Sequence, residues 1–322
     1  MSDTVVLSVI VVSWNVCDLL RECLHSISQG LTIPPDDYEI IVVDNASTDG
    51  SLDMARTEFP SARLIANVEN LGFARANNRA LGSCRGEYIL LLNPDTVPLA
   101  HTLDYMLDSL SDHPDVAILG CRLLNTDRSF QRASGGAFPS LRNVAWNYLL
   151  LNKFLPPRWA PSPRYLEKDP QGTFDVDWVS GAATMCRTAA LGGRLFDERF
   201  FLFAEDMELC ARVRRNGWRV VYTSAATIIH HHGRSFEKQD SPEVESLLVK
   251  GPRTFYIMHN GPSGVWAYDL IMFTGHLLRG VAYSVLCLVS RGSRHCKNAR
   301  LNLRCAGVAL RMLFGKARNT EA

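Results

Sequence analysis

Short apolar runs alternate with amphipathic stretches of helical length from residue 7 to about residue 124. The runs are LSVIVV, YEIIVV, ARLIA, EYILLL and VAILG, and the stretches between them cover 18–29, 51–59, 73–84 and 102–113. β-Branched runs of this length separated by helices predict βαβ units with right-handed crossovers. The expected fold class is therefore α/β, Rossmann-like, with a mostly parallel central sheet and helices on both faces.

The alternation dissolves between residues 125 and 175, where Pro156, Pro157, Pro161 and Pro163 crowd together, and long loops over a site are expected there. Pattern resumes with FDVDWVSGAATMC, a helix over 205–216 ended by Gly217, and the strands WRVVY and ATIIHHH. Beyond these the chain changes in kind. From residue 270 to 320 there is no acidic residue, yet nine Lys or Arg are present. On a helical wheel Lys297, Arg300, Arg304 and Arg311 share one stripe, with Leu301, Cys305, Val308, Met312 and Leu313 over the rest, which makes a basic amphipathic helix. The stretch 266–290 is strongly apolar, but Asp269, His276 and Arg279 divide it into pieces shorter than the ~20 apolar residues of a spanning helix. Two readings follow: an interfacial helix pair on an anionic membrane, or helices packing an apolar face on the protein. The expected division is a catalytic domain over 1–240 and a C-terminal helical region over 241–322.

With 322 residues, 47% hydrophobic and 21% charged, the chain can bury a core for one large domain and an appendage. A formal net charge of +1 makes no case for nucleic acid. The nine cysteines are odd in number and never in CxxC spacing, which argues against a zinc knuckle or a disulfide framework and for a reducing cytoplasm. The apolar stretch near the N-terminus follows Asp3 and lacks a basic flank, so it reads as a first strand rather than a signal peptide.

Candidate chemistry gathers at strand ends. Leu90 to Thr96, LLLNPDT, is an apolar run stopped by Asn93 and Asp95, either an ordinary turn or a strand delivering Asp95 to the carboxyl edge of the sheet, where open α/β folds bind ligands. The first strand ends at Ser13, Trp14 and Asn15, and the second at Asp44, Asn45 and the run ASTDG, on that same edge. Asp44 ends its strand, leaving Ser47, Asp49 or Ser51 to cap the next helix. After the third strand comes NVENLGFARANN, with Asn70, Gly72, Arg75 and Asn78; Gly72 lets backbone approach a ligand and Arg75 could meet a diphosphate or lie solvated. Asp95 is the metal candidate, since Mg2+ or Mn2+ on a diphosphate uses one or two carboxylates. Of His230, His231 and His232, alternation lets one or two face the crevice. Glu205 and Asp206 open a helix after an aromatic approach, serving either its dipole or general-base chemistry.

The motifs VIVVSWN, VVDNASTDGS, NxENLGFARANN, LLLNPD, DRSFQRASGGAFPSL, WVSGAA, FLFAEDMELCARVRRNGW and IIHHHGRS run in order over roughly residues 7–260. In these motifs the chain resembles the GT-A-fold inverting glycosyltransferases of family 2, most closely bacterial rhamnosyltransferase-like members. The resemblance implies that Asp44 contacts the nucleobase, that Asn93 and Asp95 occupy the metal-binding D-x-D position, and that Asp206, with Glu205 beside it, is the catalytic base. It implies donor binding by Ser13, Asn15, Asp44, Asn45, Asn70, Arg75, Asn78, Asn93, Asp95 and by Gly181 of the loop 178–182. His230, fitting H-x-x-G-x-S with Gly233 and Ser235, would join Asp95 on Mn2+ or Mg2+. Asn93 in place of the first acid leaves strict metal dependence open.

The function so implied is transfer of a sugar, rhamnose from dTDP-rhamnose, to a hydroxyl of a saccharide or lipid-linked acceptor in cell-surface polysaccharide synthesis. It would take place in the cytoplasm, peripherally at the inner face of the membrane. A UDP-sugar donor remains the alternative. A nucleotidyltransferase would carry a Gly- and Arg-rich loop where SWNVCDLL stands, and a catalytically silent membrane scaffold would not need Asp44, Asp95 and Asp206 together.

Overall fold

A computed structural model describes residues 5–166, 168–231, 242–290 and 293–315. Strands β1 (Leu7–Ser13), β2 (Tyr38–Asp44), β3 (Arg63–Ala66), β4 (Tyr88–Leu92), β5 (Thr96–Pro98) and β6 (Val116–Leu124) alternate with helices α1 (Cys17–Gly30), α2 (Ser51–Glu58), α3 (Gly72–Leu81) and α4 (Thr102–Asp112). The two-residue strand β7 (Gly135–Gly136) and helix α5 (Leu141–Tyr148) follow, then β8 (Thr173–Asp175), β9 (Trp178–Val179), β10 (Ala183–Arg187), α6 (Glu205–Arg215) and β11 (Arg219–His230). Helices α7 (Pro242–Asn260), α8 (Val265–Ser290) and α9 (Ser293–Phe314) complete the described chain.

The main sheet runs β3-β2-β1-β4-β10-β6-β11-β5, with β8 also on β11. Its first half, β3 to β4, is parallel as the alternation predicts. The second half is mixed rather than parallel: β10 lies antiparallel to both β4 and β6, and β5 lies antiparallel to β11. A parallel neighbour needs a full crossover helix, whereas β10 enters from the loops after β6 and simply runs back between two existing strands. Buried on both faces, the central strands read as unbroken apolar runs. Leu7, Val9 and Val11 of β1 pack under Leu24 and Ile27 of α1, Met54 of α2 and Met106 and Leu110 of α4. Helix α3 lies against β1 and β2. Its buried Ala74, Ala76 and Ala80 stand apart from that cluster.

The chain divides into two compact units, the first holding residues up to Ala137 and from Tyr165 onward through the sheet, the second holding Phe138–Arg164 together with the C-terminal helices. The segment 138–164 thus folds with α7 to α9, although only residues after 240 were expected there. In this second unit Val144, Val249, Tyr256, Tyr268, Met272, Cys305 and Val308 share one core.

Two expectations about this region are corrected. The first is that the polar residues divide the apolar stretch into pieces too short to span: α8 runs over Val265–Ser290 as one helix, and each of those polar residues has a partner. Asp269 accepts from Arg253 Nε and Nη2 at 2.7 and 2.9 Å, His276 Nδ1 meets Asn302 Oδ1 at 3.0 Å, and Arg279 donates to the carbonyls of Asn147 and Tyr148. By length and composition α8 is then long and apolar enough to cross a membrane. Second, Cys287 and Cys296 form a disulfide between α8 and α9, with Cα atoms 5.0 Å apart. A pairing made by the packing of two antiparallel helices leaves no short-spacing signature in the sequence.

Candidate active site

Register brings the candidate groups together. Ser13 and Asp44 are directly paired at the ends of β1 and β2, and β4, beside β1, ends one residue before Asn93. Asn93 N–H donates to Ala182 O at 2.8 Å, which ties the D-x-D position to the loop containing Gly181. The Gly181 N–H in turn donates to Asp206 Oδ2 at 3.2 Å. Three strand ends, one loop and one helix N-terminus therefore meet on the carboxyl edge of the sheet.

Among the described residues, four buried side-chain oxygens on these elements have no hydrogen-bond partner: Ser13 Oγ, Asp44 Oδ1, Asn93 Oδ1 and Glu205 Oε2. Leaving one such group unmade costs about 1–3 kcal/mol, so those of Ser13, Asp44 and Asn93, at three neighbouring strand ends, call for a polar partner from outside the chain. The other oxygen of Asp44 accepts from Ser47 N at 3.0 Å; the turn and the ligand-facing readings of Asp44 are thus satisfied by different oxygens.

Asp95 and His230, far apart in the chain, meet because β11 pairs with β5 directly after Asp95. His230 Nε2 stands 3.3 Å from Asp95 Oδ1, both side chains buried. His231 turns the other way, its Nδ1 on Thr126 Oγ1 at 2.9 Å, while its N–H donates to Asp95 O at 2.8 Å. His232, Gly233 and Ser235 lie outside the described residues. Among the described residues no cluster of three or more His, Cys, Asp or Glu forms. One carboxylate oxygen and one imidazole nitrogen nevertheless suit Mn2+ or Mg2+ that takes its remaining ligands from diphosphate and water. Asn93 adds an amide oxygen to that edge but no charge.

Glu205 and Asp206 open α6 after Ala204, which takes a left-handed φ of 73°. Glu205 is buried and Asp206 half-buried. Desolvation pushes the Glu205 carboxyl up to about 8, the Asp206 charge beside it adding to the rise. Desolvation also raises Asp206, opposed by the N–H groups of Gly181 and Met207.

Other expected donor residues are engaged within the chain. Asn15 Oδ1 accepts from Thr48 N at 2.7 Å and so laces the first two loops together. Asn45 donates to Gly72 O at 3.3 Å and accepts from Asn67 at 2.7 Å. Asn67 accepts from Arg79 at 2.6 Å, a brace the sequence did not signal. Asn70 Oδ1 accepts from Gly72 N at 2.9 Å, a local turn. Asn78 accepts from the N–H groups of Leu195 and Phe196 at 3.1 and 2.9 Å and donates to Phe196 O at 2.8 Å, so both ends of its amide hold the 195–196 loop. Arg75 is exposed and pairs with Glu198 at 3.4 Å. Gly72 has φ +78°, and a Cβ there would stand 2.6 Å from Phe201 O; backbone approach is needed at this position, but to the chain itself.

The mixed central sheet with its helices and the helical C-terminal region has the GT-A fold. The chain belongs to glycosyl transferase family 2, whose family model matches residues 8–190. It is 28% identical over 287 residues to N-acetylglucosaminyl-diphospho-decaprenol L-rhamnosyltransferase of Mycobacterium tuberculosis, covering 83% of this chain and 88% of that protein. It is 26% identical over 242 residues to the rhamnosyltransferase WbbL of Escherichia coli, covering 71% and 85%. The solved mannosyltransferase PcManGT of Pyrobaculum calidifontis, in complex with GDP-Man and Mn2+, shares the fold with a TM-score of 0.59 at 19% identity, over 96% of this chain and 87% of that one. The protein is a rhamnosyltransferase-like glycosyltransferase.

Proposed function

We propose that the protein transfers rhamnose from dTDP-rhamnose, with inversion, to a hydroxyl of a lipid-linked saccharide in polysaccharide synthesis. The donor and acceptor classes rest on the two rhamnosyltransferase relatives, one acting on a decaprenol-linked sugar by its name. The carrying observation is the set of buried oxygens without a partner among the described residues, from Ser13, Asp44, Asn93 and Glu205, on elements joined to Asp206 through the loop of Gly181 and Ala182.

In this reading Asp44 accepts a hydrogen bond from the nucleobase or ribose through its open oxygen, and Asn93 and Ser13 meet the rest of the nucleotide. Asp95 and His230 would hold Mn2+ or Mg2+, which when bound neutralises charge on the leaving diphosphate. Asp206 takes the proton of the acceptor hydroxyl as that oxygen attacks the anomeric carbon. The Gly181 N–H fixes the Asp206 carboxylate. Arg75 serves the diphosphate only by exchanging Glu198 for it.

The second unit supports a role at the inner face of a membrane. Helix α8 leaves Leu278, Val281, Val285, Leu288 and Val289 exposed, and α9 exposes Leu303, Leu310 and Phe314. Lys297, Arg300 and Arg311 are exposed on the neighbouring stripe of α9, the pairing of apolar and basic surface that anionic lipid favours.

Calorimetric titration of dTDP and of UDP into the full-length protein, each with Mn2+ and again with chelator, tests the donor reading. Metal-enhanced binding of dTDP alone supports it, and tighter binding of UDP replaces the donor. Binding of neither by folded protein removes the site assignment.

A further inference from the structure

Gln131 lies in the loop after β6, buried among groups that determine which way its amide faces. Its Nε2 donates to His230 O at 3.1 Å and to Asn125 Oδ1 at 2.9 Å. A backbone carbonyl can only accept, so the amino end of the amide must sit on that side. The Asn125 amide is fixed in the same way. Its Nδ2 donates to Ser129 Oγ at 2.9 Å, and that hydroxyl gives its single proton to Asp127 Oδ1 at 2.5 Å. Every link in the chain therefore has one possible direction, running from Asp127 back to Gln131.

The remaining end of the amide, Gln131 Oε1, lies 2.8 Å from His230 Nδ1. An amide oxygen can only accept, so Nδ1 must carry the hydrogen. The neutral ring then has its lone pair on Nε2, the atom 3.3 Å from Asp95 Oδ1. Without Gln131 the opposite tautomer would win. The nearby carboxylate would draw the hydrogen onto Nε2, blocking the nitrogen that a cation needs.

We propose that Gln131 is a positioning residue that holds His230 as its Nδ1–H tautomer and so presents Nε2, beside Asp95, to a divalent cation. This rests on the reading of Asp95 and His230 as the cation-holding pair. An outer partner that fixes a ligand imidazole's tautomer is typically worth about 10–100-fold in metal affinity.

The test uses full-length protein carrying 15N-labelled histidine, metal-free at alkaline pH, with the His230 signal assigned by its loss in His230→Gln. Mn2+ binding is measured in parallel. The wild type is expected to show a protonated Nδ1 and an Nε2 without hydrogen. Gln131→Met, similar in volume but without an acceptor oxygen, should move the hydrogen to Nε2 and weaken Mn2+ binding by about 10–100-fold, with near-ultraviolet circular dichroism unchanged. A hydrogen on Nε2 in the wild type, or an unchanged tautomer in Gln131→Met, overturns the proposal. A wild type with Nδ1–H that binds no Mn2+ keeps Gln131 as the positioning residue and removes the cation reading.

Discussion

His230 Nε2 stands 3.3 Å from Asp95 Oδ1, and the peptide N–H of His231 donates to the backbone oxygen of that same Asp95 at 2.8 Å. The end of β11 therefore grips both the side chain and the main chain of one acidic residue. Because the main-chain bond does not need the carboxylate, Asp95→Asn should leave the fold intact. It should weaken Mn2+ binding, because the amide that replaces the carboxylate brings no charge to the cation. Manganese titration followed by electron paramagnetic resonance, with a thermal melt of the same sample, checks both halves.

Asp206→Asn should keep nucleotide binding and lose about 10²–10⁴-fold in transfer rate, the usual scale for a general base. The asparagine oxygen can still accept from Gly181 N–H, so the loop 178–182 stays in place. Equal loss of nucleotide binding and transfer, read by calorimetry and turnover on one preparation, would make Asp206 structural.

The raised Glu205 carboxyl makes a prediction about stability. Its folded pKa lies above that of the unfolded chain, so the folded state binds more protons, and stability falls as pH rises from the ordinary glutamate range toward about 8. Glu205→Gln removes that loss. Its melting temperature should match the wild type in acid, exceed it increasingly from the ordinary glutamate range up to about 8, and keep a constant lead above that. A gain independent of pH would sink this account. Asp206 is raised too, so the acid limb of kcat/KM should lie above the ordinary aspartate range and vanish in Asp206→Asn.

Gly72→Ala places a side chain at φ +78° and against Phe201 O. Left-handed strain alone costs about 1–3 kcal/mol. The substitution should lower stability by at least that much on urea unfolding, and it should disturb the neighbouring Phe73 N–H bond to Phe201 O.

Lys297→Glu with Arg300→Glu should lower partition of the full-length protein onto anionic vesicles. At about 1 kcal/mol per basic residue near such a surface, removal of two charges alone predicts more than about 10-fold. Partition of the wild type should weaken with salt. Unchanged partition by sedimentation would remove the basic stripe from the membrane reading.

The sequence by itself determined the parallel half of the sheet, because strands buried on both faces must be apolar throughout and the helices between them must be amphipathic. It also placed Asp44, Asn93, Asp95 and Asp206 at element ends, since a polar residue that stops an apolar run has to emerge at an edge. It could not tell a ligand-facing side chain from a brace: Asn15, Asn45 and Asn78 read like Ser13 and Asn93, and only the positions of their partners separate them. Tertiary structure decided the rest. The reversal of β10, the continuity of α8, the Cys287–Cys296 bond and the chain from Asp127 through Gln131 to His230 all join residues that are distant along the chain or lack a local pattern. Such pairings are chosen by packing and by the direction of each hydrogen bond, which no local periodicity encodes.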